Sequence, residues 1–496
     1  MAERAAWRPP WYLWPAFGAT LLALIHRQAP YLLHGQWLFF LAIGVLGLLL
    51  AIAVLWELPV AATMSVAIVL TIFSGSWESL GLPGFPFVPD RILLAVALLA
   101  LLLRSPGAVG LPRVQVKGVH LLLAATTIYA CGSAAVAGTL WGKAGLFDLL
   151  DRLGAIPFLM LLVAPVVFPG ARERNMLLSA LVGLGAYLGV TALFETVGPH
   201  ALVFPRYILS ADSLTPVRQA GGPFRAAISD GFACFACGTA AAVALTQWRG
   251  RRRRLFARFV LGICVLGVFC SLERGVWLAA AAGALAVGIS APELRRFVIP
   301  GVLAVAIVIG GALVVFPSLA GHATERASDQ TPVWDRENQT ATALRMIAAR
   351  PLFGFGWDNY VNESTEYFRQ APGYPMTGFS TSDNPLPLHD SYLSNAVELG
   401  LVGLVMWVLS LAWGLGGAIF GRGSPELRPW RLGLLAVAVF FCVLAFFDPL
   451  QQNFTELLLW IWAGLCLPGR PVLAPCTAEG RRRAPAPRAQ GRLAVS

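Results

Sequence analysis

Charged side chains make up only 13% of this 496-residue sequence, about half the share of an ordinary soluble domain. That scarcity excludes a soluble globular enzyme with a peripheral anchor. Other absences narrow the field further. The sequence holds no HExxH, GxSxG, Walker or Rossmann fingerprint in a suitable context, which argues against zinc peptidases, serine hydrolases, nucleotide hydrolases and dinucleotide enzymes. No DxD-type acidic pair falls in the segments assigned below to the outer side, so metal-dependent transfer from a nucleotide sugar is weakly supported. Cys234 and Cys237 form a CxxC, but within an apolar run and without a second pair, so no metal site is expected there. Seven of the eight cysteines lie in or beside apolar runs, where cysteine acts as a small hydrophobe. No internal repeat is present. The net charge is +11, yet its basic residues are dispersed between apolar runs, which excludes a nucleic-acid-binding face and fits the surplus of Arg and Lys in cytoplasmic loops.

What the sequence has in abundance is apolar length. Hydrophobic residues make up 57% of it, and apolar runs of roughly 14 to 27 residues recur throughout, the mark of membrane-spanning helices. The expected fold is an all-α polytopic membrane protein. Spans are read near residues 12–26, 36–55, 58–74, 91–104, 118–138, 148–168, 176–196, 227–247, 255–272, 275–291, 297–317, 392–418, 432–447 and 454–468. No small-residue cleavage site follows the first run, so it is expected to stay as a span. Basic clusters at Arg249 with Arg251 to Arg254 and Arg258, at Arg295 and Arg296, at Arg422, Arg428 and Arg431, and at Arg481 to Arg483 all fall on one side under strict alternation, which places both termini in the cytoplasm.

The map divides the chain into spans with short loops over 1–317, an outer segment over 318–391, closing spans over 392–468 and a disordered cytoplasmic tail over 469–496. A shorter outer segment covers roughly 197–226. Segment 318–391 is polar but holds nine aromatic residues, Trp334 and Trp357 among them, more than a disordered loop carries. It is expected to fold into short helices over the membrane face. One of them is read at 338–349 and stopped by Pro351.

Where this segment meets the next span stands Pro387-Leu388-His389-Asp390-Ser391-Tyr392-Leu393. Asp390 or Ser391 can cap the helix that begins there, fixing the imidazole of His389 at the membrane edge. Imidazole titrates near neutrality and can take a proton from a hydroxyl; the plainer alternative is a hydrogen-bonded surface histidine. Arg274, between two apolar runs, is suited to holding phosphate oxygens, or else pairs with Glu273 or snorkels. Arg225 ends the first outer segment in a similar setting, and Arg336 leads the short helix before Pro351. Glu398 lies just inside a span, where one of these arginines would offset its burial.

These elements together resemble a known family. Arg336, then Pro351-Leu352-Phe353-Gly354-Phe355-Gly356, then His389-Asp390-Ser391-Tyr392-Leu393, then Val397-Glu398-Leu399-Gly400-Leu401-Val402-Gly403 is similar in order and spacing to the signature of the O-antigen ligase and polymerase family. Ser271 to Trp277 resembles the family's Ser-Arg-Gly-x-Trp-Leu element, with Leu272 and Glu273 standing before the arginine. The likeness covers roughly residues 220–410; the fourteen spans exceed the twelve usual for these ligases. It implies a C-type glycosyltransferase-like membrane fold of 12–14 spans with a large periplasmic loop domain, no metal and no cofactor. It implies a glycan donor on undecaprenyl diphosphate at the periplasmic face of a bacterial inner membrane, with lipid A-core or a growing glycan as acceptor. By the same likeness His389 would activate the acceptor hydroxyl and Arg274 and Arg336 would hold the diphosphate. Arg225 is a further candidate by position, with Glu398 and Asp390 in support. Ligase and polymerase both remain open. A transporter or flippase is the alternative from another class, although it would place its charges at mid-span, whereas these cluster at outer span ends.

Overall fold

The computed structural model describes residues 57–80, 88–104, 115–142, 146, 149–210, 219–376, 387–421, 423–450 and 452–467. The chain is an all-α, multi-pass membrane protein: among the described residues there is no β-strand, and six helices are long and apolar enough to cross a bilayer, with shorter apolar helices beside them. The expected spans at 12–26 and 36–55 and the tail at 469–496 lie outside the described residues.

The helices run α1 (Val60–Leu70), α2 (Pro89–Arg104), α3 (Gly118–Ala137), α4 (Ala155–Val167), α5 (Ala171–Val197), α6 (Ala227–Gln247), α7 (Arg251–Cys270), α8 (Arg274–Ser290), α9 (Val298–Val315), α10 (Pro317–Ser328), α11 (Thr331–Ala349), α12 (Tyr360–Tyr367), α13 (Ser391–Phe420), α14 (Arg428–Leu444) and α15 (Asn453–Cys466). Apolar runs set most of these boundaries within a turn of the expected ones. Two differ for local reasons. The run read as one span at 148–168 is split: Leu149–Leu153 forms a π-helical turn, and α4 starts only after Gly154, where a side chain would run into Thr127. The helix read at 338–349 begins seven residues earlier at Thr331, because Pro332 occupies its first turn, where a missing N–H costs nothing.

Since lipid is as apolar as leucine, close packing rather than hydrophobic exclusion brings membrane helices together, and small residues at the contacts allow it. Gly185 and Gly189 on α5 abut Cys264 and Ile263 of α7, and α5, α6 and α7 form a tight group. Around it α8 packs on α14, α15 on α4 and α13 on α3. At the rim α9 exposes Ile299, Ile307 and Val314, an apolar face suited to lipid. Three further helices complete the fold: α10 packs through Leu319 against Ala192, Cys270 and Ala312, while α11 and α12 are pinned to the start of α13 by a small core of Ala343, Met346, Phe355, Tyr360, Leu388 and Val397. Each large side chain buried there contributes roughly 1.5–3 kcal/mol, so α11 and α12 are held firmly against α13.

Candidate active site

The site is built on the first turn of α13. Asp390 is its cap: the Oδ1 accepts from Leu393 N–H at 2.9 Å, in the extended conformation that a cap requires. Burial raises the carboxyl above the usual carboxylate range, opposed by the backbone N–H groups of Leu393 and Tyr392. Ser391 has a different task. Its N–H donates to Ala445 O and its Oγ to Asp448 O, both at 2.7 Å, which ties α13 to the turn between α14 and α15. We expect Asp390→Ala to destabilise the protein by about 1 kcal/mol, read as a lowered thermal midpoint in detergent, while Asp390→Asn stays near the parent.

His389 precedes this cap and is half-buried. Its backbone N–H donates to Gln339 Oε1 at 3.1 Å, and its ring Nδ1 lies 3.2 Å from the same oxygen. Burial lowers its pKa below the ordinary imidazole value, and the positive charge of Arg336 lowers it further; Pro387 and Glu273 act the other way. Burial and the Arg336 charge thus both favour the neutral imidazole.

Arg336 sits on the same helix as Gln339, three residues earlier, so both project from one face. Its Nη2 reaches Phe447 O at 3.4 Å, and its guanidinium lies 5.7 Å from the centre of the Phe447 ring. Phe447 is also where the first turn of α8 packs, against Gly275. Thus α8, α11 and the turn after α14 meet at one aromatic ring. Arg336 feels the charges of Glu273 and Asp448, which favour its cation, and of Arg326 and Arg274, which oppose it. Arg274 comes in from the start of α8, delivered by a tight turn in which Leu272 takes a left-handed φ of 51°, costly for a bulky residue. Its Nη2 donates to the carbonyls of Arg326, Ala327 and Asp329, at the end of α10.

The alternative in which Arg274 pairs with Glu273 is set aside by this geometry. Glu273 Oε1 instead accepts from Arg326 Nη2 at 2.7 Å and from Gln219 Nε2 at 3.0 Å, and Arg326 also pairs with Asp329. Among the described residues neither Arg274 nor Arg336 forms an ion pair. His389, Arg336 and Arg274 are thus brought into one neighbourhood. Arg225 is placed differently: it holds a left-handed turn (φ 56°) before α6, and its charge acts on Tyr207. The charges that reach His389 are those of Arg336 and Glu273.

Glu398 is buried, but the cation that reaches it is Arg152 from the π-helical turn, not one of the arginines expected to offset its burial. Arg152 lies over the Trp357 ring and donates to Pro449 O at 2.7 Å. Together with Asp358, Tyr360, Leu388 and Ser394 these residues line a small cleft of about 50 Å³. Asp448 stands between the two halves of the region. Burial pushes its carboxyl up to about 6, and both Arg336 and Arg152 pull it back.

The two glycine-bearing motifs explain each other. Gly400 breaks α13 with φ 67° and ψ −176°, a region open essentially to glycine alone. The break frees carbonyls and N–H groups in a buried stretch of α13, where each must find a partner inside the protein. Segment 351–356 supplies them. Phe355 N–H donates to Val397 O at 2.9 Å and Gly356 N–H to Glu398 O at 2.8 Å; in return Leu401 N–H donates to Pro351 O at 2.8 Å and Val402 N–H to Leu352 O at 3.3 Å. Tyr129 Oη donates to Leu399 O at 2.7 Å. Segment 351–356 is thereby held in a fixed place on α13.

Sequence reasoning missed Arg326, Gln339, Arg152 and Asp448. Gln339 carried a readable signal in its i, i+3 spacing from Arg336 on an expected helix, and Arg152 another, as a charge beside Asp151 within an expected span. Among the described residues no three His, Cys, Asp or Glu side chains meet as a metal-binding group would require.

No curated protein matches the chain. The sequence model of the family described as O-antigen ligase matches residues 259–408. That stretch runs from α7 into α13 and takes in Arg274, Arg336, Gln339, His389, Asp390 and both halves of the backbone exchange around Gly400, while Arg225 precedes it. The histidine and arginine neighbourhood assembled above thus lies within the stretch, residues 259–408, that is similar to the O-antigen ligase family.

Proposed function

We propose that this protein transfers a glycan from undecaprenyl diphosphate to an acceptor hydroxyl at the periplasmic face of a bacterial inner membrane, and that the acceptor is lipid A-core. His389 takes the proton of the acceptor hydroxyl. The freed oxygen attacks the anomeric carbon, and the bond from that carbon to the phosphate oxygen breaks with its electron pair. The undecaprenyl diphosphate leaves carrying that charge, held by Arg274 and Arg336. Guanidinium groups fixed in advance where charge develops are an effective form of transition-state stabilisation. The lipid tail lies along the apolar helices, and nucleic acid has no part.

The observation that carries this reading is the meeting at Phe447: Arg336, whose charge reaches His389, packs on the ring against which the first turn of α8 brings Arg274. A low-pKa imidazole beside two cations free of carboxylate partners suits a base next to a diphosphate. It suits a transporter less well, because a carrier needs its charges near the middle of the bilayer.

The test is to incubate purified protein with undecaprenyl-diphosphate glycan, lipid A-core and a growing-glycan acceptor, with EDTA present throughout. We expect lipid A-core to be modified and the chelator to change the rate less than twofold. Extension of the glycan on its lipid carrier would instead make the protein a polymerase. A strict requirement for added divalent metal would overturn the assignment of diphosphate binding to Arg274 and Arg336.

A further inference from the structure

Nothing so far says how His389 keeps the one form in which it can act as a base. A neutral imidazole carries its proton on either ring nitrogen, and only the other nitrogen can accept one. We infer that Gln339 is the positioning residue that locks His389 as the Nδ1–H tautomer and so leaves Nε2 as the proton acceptor. The inference deepens the proposed function and rests on it only for the catalytic consequence, not for the tautomer itself.

The argument starts from an unambiguous donor. The backbone N–H of His389 can only donate, and its partner 3.1 Å away is the side-chain amide of Gln339. The atom it meets must therefore be the carbonyl oxygen, which fixes the orientation of the amide. The ring Nδ1 lies 3.2 Å from that same oxygen. An oxygen with only lone pairs to offer demands a proton on Nδ1. Rotating the amide would set an NH₂ group against the backbone N–H, two donors facing each other, and would place a third donor or a bare lone pair at the ring.

Burial makes the lock effective. Gln339 is 2% exposed and Met346 and Ala343, further along α11, are fully buried, so the helix cannot easily turn. The Nε2 of Gln339 is buried and meets no acceptor among the described residues. That unsatisfied donor would reward rotation of the amide, yet the pair of contacts to His389 holds it. A residue kept in that state is committed to its oxygen. On the other side of His389, the Asp390 cap and the Ser391 contacts to Ala445 and Asp448 fix the main chain. The charged groups facing the ring are Arg336 from α11 and Glu273 from the start of α8.

The full-length protein, labelled with ¹⁵N-histidine, tests this directly. It has six histidines, and His389→Ala identifies the signals of this one. We expect the parent to show Nδ1 protonated and Nε2 bare at a pH where the ring is neutral, and Gln339→Leu to show a mixture of both forms. A parent that carries its proton on Nε2 overturns the inference, whatever His389→Ala does to activity. The second arm is kinetic. Gln339→Glu keeps an acceptor for both His389 donors but adds a negative charge, which favours the imidazolium. The acid limb of glycan transfer should then move up by at least about one pH unit, with the rate above that limb within a few-fold of the parent. Gln339→Leu should lower kcat several-fold, in proportion to the share of the ring that leaves the Nδ1–H form, without changing the KM for the lipid-diphosphate donor. An unmoved acid limb in Gln339→Glu would remove Gln339 from the mechanism while leaving His389 in it. A His389→Ala protein that still transfers glycan would remove the base and leave Gln339 with a structural task alone.

Discussion

Replacing His389 by alanine should abolish glycan transfer while leaving the protein folded. General-base assistance contributes roughly 10²–10⁴-fold, and no other imidazole enters the interactions that assemble this neighbourhood. Stability should change little, because the side chain is only half-buried and its polar contacts are few, chiefly that to Gln339. The first turn of α13 would keep its Asp390 cap and the Ser391 contacts. The measurement is the rate of glycan transfer by purified protein beside its thermal midpoint. In the parent the rate should rise with pH through the pKa of His389, because only the neutral ring accepts a proton. Burial and Arg336 place that pKa below the ordinary imidazole value, so the rise should fall at lower pH than for an ordinary imidazole. Normal transfer by His389→Ala would take the histidine out of the chemistry and leave Arg274 and Arg336 as a binding site only.

The second large effect is expected at Gly400. A methyl group there would fall 2.2 Å from Leu352 O, 2.3 Å from Leu352 C and 2.5 Å from Phe353 N, all of them main-chain atoms that cannot turn aside. The backbone angles forbid the substitution independently, since φ 67° with ψ −176° is strained for any residue with a Cβ. Gly400→Ala should therefore cost on the order of 3 kcal/mol or more, enough to reduce the yield of folded protein severely, and Gly400→Val should cost more. Gly416 lies on the same helix with nothing within 4 Å of an added Cβ. Gly416→Ala should be neutral or mildly stabilising, which makes it the control. A Gly400→Ala protein as stable as Gly416→Ala would mean that the helix is continuous and that 351–356 does not dock on it.

How much of this was readable beforehand depends on which interactions are local. The boundaries of α6 at 227–247 matched because an apolar run there is closed on one side by Arg225 and on the other by Arg249. The cap at Asp390 was readable for the same reason, as a short-range feature next to an apolar run. The order of Arg336, His389 and Glu398 was legible as a resemblance, and the match over 259–408 agrees with it. What could not be read is pairing over distance. Arg152 reaches Glu398 across 246 positions of sequence, and no periodicity reports that. Pro-Leu-Phe-Gly-Phe-Gly and the glycines after Glu398 were visible as separate motifs, but their mutual hydrogen bonds follow from positive φ angles that letters do not show. The split before α4 was passed over because the apolar run resumes at once after Asp151 and Arg152, and the approach of Thr127 to Gly154 that marks the break is a long-range contact.

The joint between segment 351–356 and the interrupted span is hydrogen-bonded main chain to main chain, with Phe355 packed beside Val397, so its pattern is carried by Gly354, Gly356, Gly400 and one buried aromatic, and not by Leu352 and Phe353. Leu352 and Phe353 turn outward, 58% and 67% exposed, and any residue that the surroundings tolerate will serve there. A stretch that drifts freely at its outward positions can in this way remain as rigid as a hinge pin, and the three residues without side chains are the stitches.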